Sequence, residues 1–176
     1  KKTEQGRTVY AAQANIDSYK GVPFVDLHAI FDNLIDERIH SAWFRSKVDG
    51  DHGWDTVSYS YDYPNKRLFV LNRPAPGDGK SFNDTLAIES FYQDGLSLFF
   101  FARQEVLNRR QVTVPTVVNE KKGTTSFDFL AERMDEEIDA VDYPVDVVYF
   151  KGEAGFVGIF GLTGDFEGWF SNDDAR

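Results

Sequence analysis

The sequence predicts a mainly β protein with at least one helix. Three observations carry that class: runs that alternate apolar and polar residues, Gly and Pro placed where those runs stop, and an aromatic content of 15% that includes 16 Phe. Alternation is the strand period, because successive side chains point to opposite faces. In order, Val57, Tyr59 and Tyr61 share one face while Ser58, Ser60 and Asp62 share the other. Tyr63-Pro-Asn-Lys66 then reads as a turn, and Arg67 to Asn72 as the returning strand. Arg73 to Lys80, rich in Pro and Gly, reads as a loop between strands rather than a domain boundary. Val112, Val114, Thr116 and Val118 alternate again, and Pro115 among them predicts an edge strand or a bulge. Phe156 to Leu162, interrupted by Gly158 and Gly161, fits a bent or closely approached strand better than a helix.

The firm helix follows Asp94, whose carboxylate can cap a helix starting at Gly95. Its apolar run, Leu96, Leu98, Phe99, Phe100, Phe101 and Ala102, predicts a largely buried helix, with Arg109 and Arg110 just beyond its end. Two segments read either way. Over residues 22–46, Phe24, Leu27, Phe31, Leu34 and Ile35 match helical spacing, yet Val25, Leu27, Ala29 and Phe31 alternate as a strand. Over residues 126–141, Phe127, Leu130, Met134, Ile138 and Val141 follow a helical spacing of three and four.

At 176 residues the chain is sized for one domain, 1–176, with a real core. No apolar run approaches the roughly 18 to 20 residues a spanning helix needs, so a transmembrane helix is not expected. Cysteine is absent, which removes disulfides, thiolate nucleophiles and cysteine metal sites. The chain begins at Lys1, which fits an exported protein whose signal peptide has been removed as well as a trimmed cytosolic one. The net charge of −10 is confined to the last third: residues 1–125 hold 16 acidic and 16 basic side chains, whereas 126–176 hold 13 acidic against Arg133, Lys151 and Arg176. That balance argues against a nucleic-acid binder, whose affinity rests on Lys and Arg.

Four stretches resemble a bacterial family of exported proteins, domain-of-unknown-function family 3108. They are Tyr10-Ala-Ala-Gln-Ala-Asn15 with Gly21-Val-Pro-Phe24; the Ile39 to Asp62 region with Trp43-Phe-Arg-Ser-Lys-Val-Asp49; Gln93-Asp-Gly-Leu-Ser-Leu-Phe-Phe-Phe-Ala-Arg103; and Gly168-Trp-Phe-Ser-Asn-Asp-Asp-Ala-Arg176. The third is similar to the family's D-x-LS-x-x-Y/F-x-x-R helix and the fourth to its W-x-S-x-D-x-R segment. The resemblance implies a periplasmic or cell-envelope protein, and sharpens the class to a curved antiparallel sheet or partly open barrel with one or two short helices. It also implies strands at 22–30 and 38–48 with a short helix near Phe31 to Asp36, and a strand at 125–132 followed by an acidic loop. In the family pattern a further strand follows the final Arg, whereas this chain stops at Arg176. A truncation, a cleavage or a missing strand would leave a sticky sheet edge.

No residue pattern anchors catalysis, a cofactor or a resident metal. Asp49, Asp51, His52 and Asp55 offer cation ligands, but Ser60 stands where an EF-hand has its bidentate Glu, and a β-turn explains the same loop. His28, His40 and His52 are spaced by twelve, which suits no compact metal motif; Asp36 and His40 could pair across one turn if that stretch were helical. Ser81, Ser97 and Ser171 sit in no nucleophile elbow. Gly152, Gly155, Gly158, Gly161, Gly164 and Gly168 precede no P-loop lysine and read as sheet curvature. Asp94 and Arg103 bracket one helix, which suggests a cap or a structural ion pair, and Trp169 reads as a plug at the sheet's end. Glu132, Asp135, Glu136, Glu137, Asp139 and Asp142 form the densest acidic run, a solvated face or a docking surface for a basic partner.

Three functions follow. The first is a non-catalytic envelope protein holding a lipid or other apolar small molecule in its curved sheet. The second is an acidic protein-interaction module of the envelope, and the third an enzyme of unknown class.

Overall fold

The computed structural model describes residues 2–4, 7–18, 27–156 and 163–173. Gly21-Val-Pro-Phe24 and the first part of the strand expected at 22–30, all of the strand expected at Phe156 to Leu162 beyond its first residue, and residues 174–176 lie outside them. The protein is mostly β, with two antiparallel sheets that do not close into a barrel and, among the described residues, a single helix. No described helix is long and apolar enough to cross a membrane. The chain forms two compact units, Lys1–Ser97 and Leu98–Arg176.

The first unit is a meander in which each strand pairs with the next in sequence. Its strands are β1 (Lys2–Glu4), β2 (Arg7–Asp17), β3 (His28–Asp36), β4 (Ser41–Gly50), β5 (Gly53–Asp62), β6 (Arg67–Arg73) and β7 (Phe82–Ala87). Period-two alternation puts Phe31, Phe44, Tyr59, Leu68 and Val70 on one buried face. Their rings meet across neighbouring strands, Phe31 to Phe44 at 5.8 Å and Phe44 to Tyr59 at 5.4 Å between centroids. Burying side chains of this size is worth about 1.5–3 kcal/mol each. The alternation expected at 57–61, the turn at 63–66 and the loop after Arg73 are all present.

The helix expected near Phe31 to Asp36 is a strand instead. β3 buries Ala29, Phe31, Asn33 and Ile35 in strict alternation, and β2 and β4 pair with it on both sides. Two-sided pairing supplies the backbone partners that a helix would have supplied internally. Within the described residues the helical spacing of Leu27, Phe31, Leu34 and Ile35 is coincidental with that alternation.

The second unit is a four-stranded meander preceded by α1 (Ser97–Glu105). Its strands are β8 (Arg110–Val118), β9 (Lys121–Glu136), β10 (Val145–Ala154) and β11 (Gly164–Ser171), in the order β11-β10-β9-β8. Pro115 sits on β8, at the edge, as its missing amide requires. Ala102 and Val106 pack with Val114, Phe127, Phe129, Val148 and Phe150, and Leu98, Phe101, Phe166 and Phe170 flank this core. The helix is less buried than expected: Phe99 is 60% exposed. Facing a sheet with one side only, a nine-residue helix can hide one stripe of its apolar residues.

Two glycines make the aromatic face possible. Gly152 lies opposite Phe166, and Gly168 opposite Phe150, on the paired strands β10 and β11. Each ring lies over the glycine across from it, so a Cβ on Gly168 would come within 2.4 Å of the Phe150 ring and one on Gly152 within 2.2 Å of Phe166. These glycines provide space for rings rather than curvature alone.

Segment 126–141 is also not helical. β9 runs to Glu136, so Glu132, Asp135 and Glu136 belong to a strand, and the acidic loop begins at Glu137. The pairing with β10 slips between Tyr149 and Phe150, where Leu130 and Ala131 form a bulge. Ala131 takes a left-handed φ of 52° there, a conformation that L-residues avoid.

Candidate interaction surface

Beyond the bulge, β9 and β10 stay paired from Glu132–Tyr149 to Glu136–Val145 and end in a loop over 137–144. This arm gathers the densest charge in the chain. Glu132, Asp135, Glu137, Asp139 and Asp142 are exposed and Glu136 is half-buried. Arg133 is the only base between 132 and 143. Its guanidinium pairs with Asp146, which also accepts a 2.9 Å bond from the Asn172 amide. The Arg133 bond, then the Asn172 bond, hold the Asp146 carboxyl below the ordinary Asp value. The arm's one cation is therefore engaged within its own strand pair.

The same arm exposes apolar side chains that a merely solvated acidic loop would lack. Met134, Ile138, Val141 and Tyr143 are 37%, 44%, 38% and 62% exposed. At the tip, Ile138, Val141, Tyr143 and Pro144 share a shallow groove of about 320 Å³ with Glu137, Asp139 and Asp142. Isolated exposed apolar residues are ordinary, whereas large contiguous apolar patches are characteristic of contact surfaces. The expectation of an acidic surface named the carboxylates and missed these residues. Their near-helical spacing was instead the signal of a helix that does not form.

A second polar cluster, buried in the first unit, is structural. Asp94 is fully buried and accepts bonds from the amides of Leu96 and Ser97, both at 2.9 Å, while Ser97 Oγ accepts the Asp94 amide at 2.7 Å. This reciprocal pair is a capping box with Ser in place of Glu. The expected cap is therefore present. Its second carboxylate oxygen accepts Asn33 Nδ2 at 2.6 Å and the Ser41 hydroxyl, so the cap is tied to β3 and β4. Burial raises the Asp94 carboxyl above its usual value, against the opposing pull of Ser41, Ser97, Leu96 and Asn33. Burial, reinforced by the Asp94 charge, also holds the Tyr61 phenol well above the usual range.

The remaining candidates separate. Asp51 and His52 form the two-residue turn between Gly50 and Gly53, and His52 bonds Asp78 at 2.7 Å while Asp55 accepts the Ala75 amide at 2.8 Å. The loop is a hairpin turn, and Asp49 is paired in β4. His28 pairs with Asp17 across β2 and β3. His40 and Asp36 do meet, at 3.3 Å, in a tight turn rather than a helix, and the His40 ring stacks on Phe91 at 4.0 Å. The three histidines thus have three different carboxylates. Among the described residues no three metal-ligating side chains converge. Ser97 is part of the cap, Ser81 is an exposed loop residue and Ser171 ends β11. Trp169 is no plug: it is 44% exposed and lies against Tyr149 at 5.7 Å.

Comparison with family models, with curated proteins and with solved structures finds no match to this chain.

Proposed function

We propose that this is a non-catalytic interaction protein of the bacterial envelope whose β9–β10 arm captures a basic, amphipathic partner. The observation that carries the reading is the co-location of four exposed apolar side chains with six acidic ones on one hairpin. Lys and Arg side chains suit such a surface, because their methylene stems cover apolar groups while their charged ends reach carboxylates. Tyr143 adds a ring face for a cation. The envelope setting rests on the family resemblance.

An apolar ligand held within the second unit has less support. Its aromatic face is filled by rings in mutual contact, with Phe127–Phe129 at 5.2 Å and Phe150–Phe170 at 5.4 Å. The test is binding of a synthetic peptide of alternating Lys and Leu to the intact chain, measured by fluorescence anisotropy at rising salt. Binding is expected to weaken with salt. It is expected to fall on the order of ten-fold in Glu136→Gln/Glu137→Gln/Asp139→Asn and again in Ile138→Ser/Tyr143→Ser. Unchanged binding in the charge variant would reduce the acidic run to a solubilising surface.

A further inference from the structure

Among the described residues the unpaired edges are those of β1, β7, β8 and β11 and the stretches of β2 and β9 that outrun β1 and β8. β1 has only three residues. On β7 the Asp84 carboxylate occupies the amide of Thr85 at 2.7 Å, and on β8 Pro115 has no amide to offer. Short strands, charged side chains and proline are among the usual ways to keep an edge from pairing. β11 is neither short nor broken by proline, and its two charges, Asp165 and Glu167, both lie on the exposed face of the strand. It presents eight residues, Gly164–Ser171, paired with β10 on one side and, among the described residues, with no strand on the other.

We propose that the outer edge of β11 pairs antiparallel with β11 of a second copy of this chain, about a twofold axis at Gly168. Directly opposed residues in an antiparallel pair share a face, which restricts the registers to three that keep most of the strand paired. With the axis at Glu167, Asp165 would stand opposite Trp169 and two Glu167 carboxylates opposite each other, which is repulsive. Placing the axis at Trp169 would run Phe166 past the end of the strand, opposite Asn172. An axis at Gly168 sets Phe166 against the second copy's Phe170, and Glu167 against its Trp169, each twice by symmetry. No like charges then oppose, and the half-buried Phe166 and Phe170 gain apolar neighbours that extend the face of Phe127 and Phe150. Gly168 at the axis brings no side chain to the closest approach of the two backbones.

This interface is separate from the capture surface proposed above and responds oppositely to salt. Two chains of net charge −10 repel, so added salt favours self-pairing while it weakens binding of a basic peptide. The experiment is sedimentation velocity of the intact chain over rising concentration, with Trp169→Asp and Trp169→Lys, and circular dichroism to check folding. Trp169 is exposed, so both variants are expected to fold. Wild type is expected to shift from monomer to dimer. The carboxylate of Trp169→Asp would face Glu167 twice and weaken the dimer on the order of ten-fold, whereas the ammonium of Trp169→Lys would pair with Glu167 twice and keep it. A wild type that stays monomeric, a dimer indifferent to Trp169→Asp, or equal loss in both variants would overturn the proposal.

Discussion

Replacing Gly168 by Ala isolates the ring-over-glycine contact. The new Cβ would meet the Phe150 ring, with three of its carbons at 2.4, 2.6 and 3.1 Å. That ring cannot simply turn away, since Phe129 at 5.9 Å and Phe170 at 5.4 Å hold it from two sides. Overpacking of this kind costs about 1–3 kcal/mol, set against about 0.5–1 kcal/mol that Ala ordinarily gains over Gly in a strand. The expected net loss is therefore about 1–2 kcal/mol. Phe150→Leu shortens the ring that collides, so Gly168→Ala in a Phe150→Leu background is expected to be neutral or stabilising. Gly152→Ala behaves differently, because its Cβ would also lie 2.7 Å from the Ser126 carbonyl oxygen, and Phe166→Leu relieves only part of that clash. The assay is urea unfolding at low protein concentration, followed by near-ultraviolet circular dichroism, for each single and double variant. Additive losses for Gly168→Ala and Phe150→Leu would refute the contact as the reason for the glycine.

Three further outcomes are expected. Ala131→Gly removes a left-handed conformation that costs an L-residue about 1–2 kcal/mol, and the greater chain entropy of Gly offsets part of that, so a gain of about 0.5–1 kcal/mol in urea unfolding is expected. Asn33→Ala deletes a donor to the buried Asp94 carboxylate and costs about 2 kcal/mol at neutral pH. Because the variant raises the Asp94 pKa further, its native state holds that proton more readily, and the deficit shrinks as pH falls through the folded pKa toward the ordinary Asp value of about 4. Urea unfolding of both proteins across that pH range checks this. Arg133→Ala releases Asp146, whose carboxyl carbon in an NMR titration is expected to titrate closer to the ordinary Asp value; the contribution of the pair to stability is present above that value and lost as pH falls through the lowered one.

What was legible in the sequence depended on whether a local pattern decided the structure. Val57, Tyr59 and Tyr61 could be read because their side chains repeat at the strand period between turn residues. The Asp94 cap could be read because its partners lie within three residues. Asn33 could not: its bond to Asp94 spans 61 residues, and an isolated Asn amid apolar neighbours gives no hint of a buried carboxylate. The helical spacing from Phe127 to Val141 misled for a physical reason. The bulge at Leu130–Ala131 adds two residues to β9 and leaves its faces in phase, but Arg133 and Asp135 follow Phe127 and Phe129 on their face while Met134 lies on the other, so the apolar spacing mimics a helix. The arm's exposed apolar residues were concealed by that spacing, since it resembles the buried stripe of a helix.

The strictly sequential strand order has a kinetic consequence. Each strand pairs with its immediate predecessor within its sheet, so no such pairing waits for a distant part of the chain to be synthesised. Topologies of low contact order lose little loop-closure entropy before their contacts form, and fold fast for their size. A chain threaded end-first, from a ribosome or through a narrow pore, could zip each hairpin onto the last as it emerges. The tight Asn119–Glu120 turn, with φ of 49° and 58°, would start the second sheet in this way.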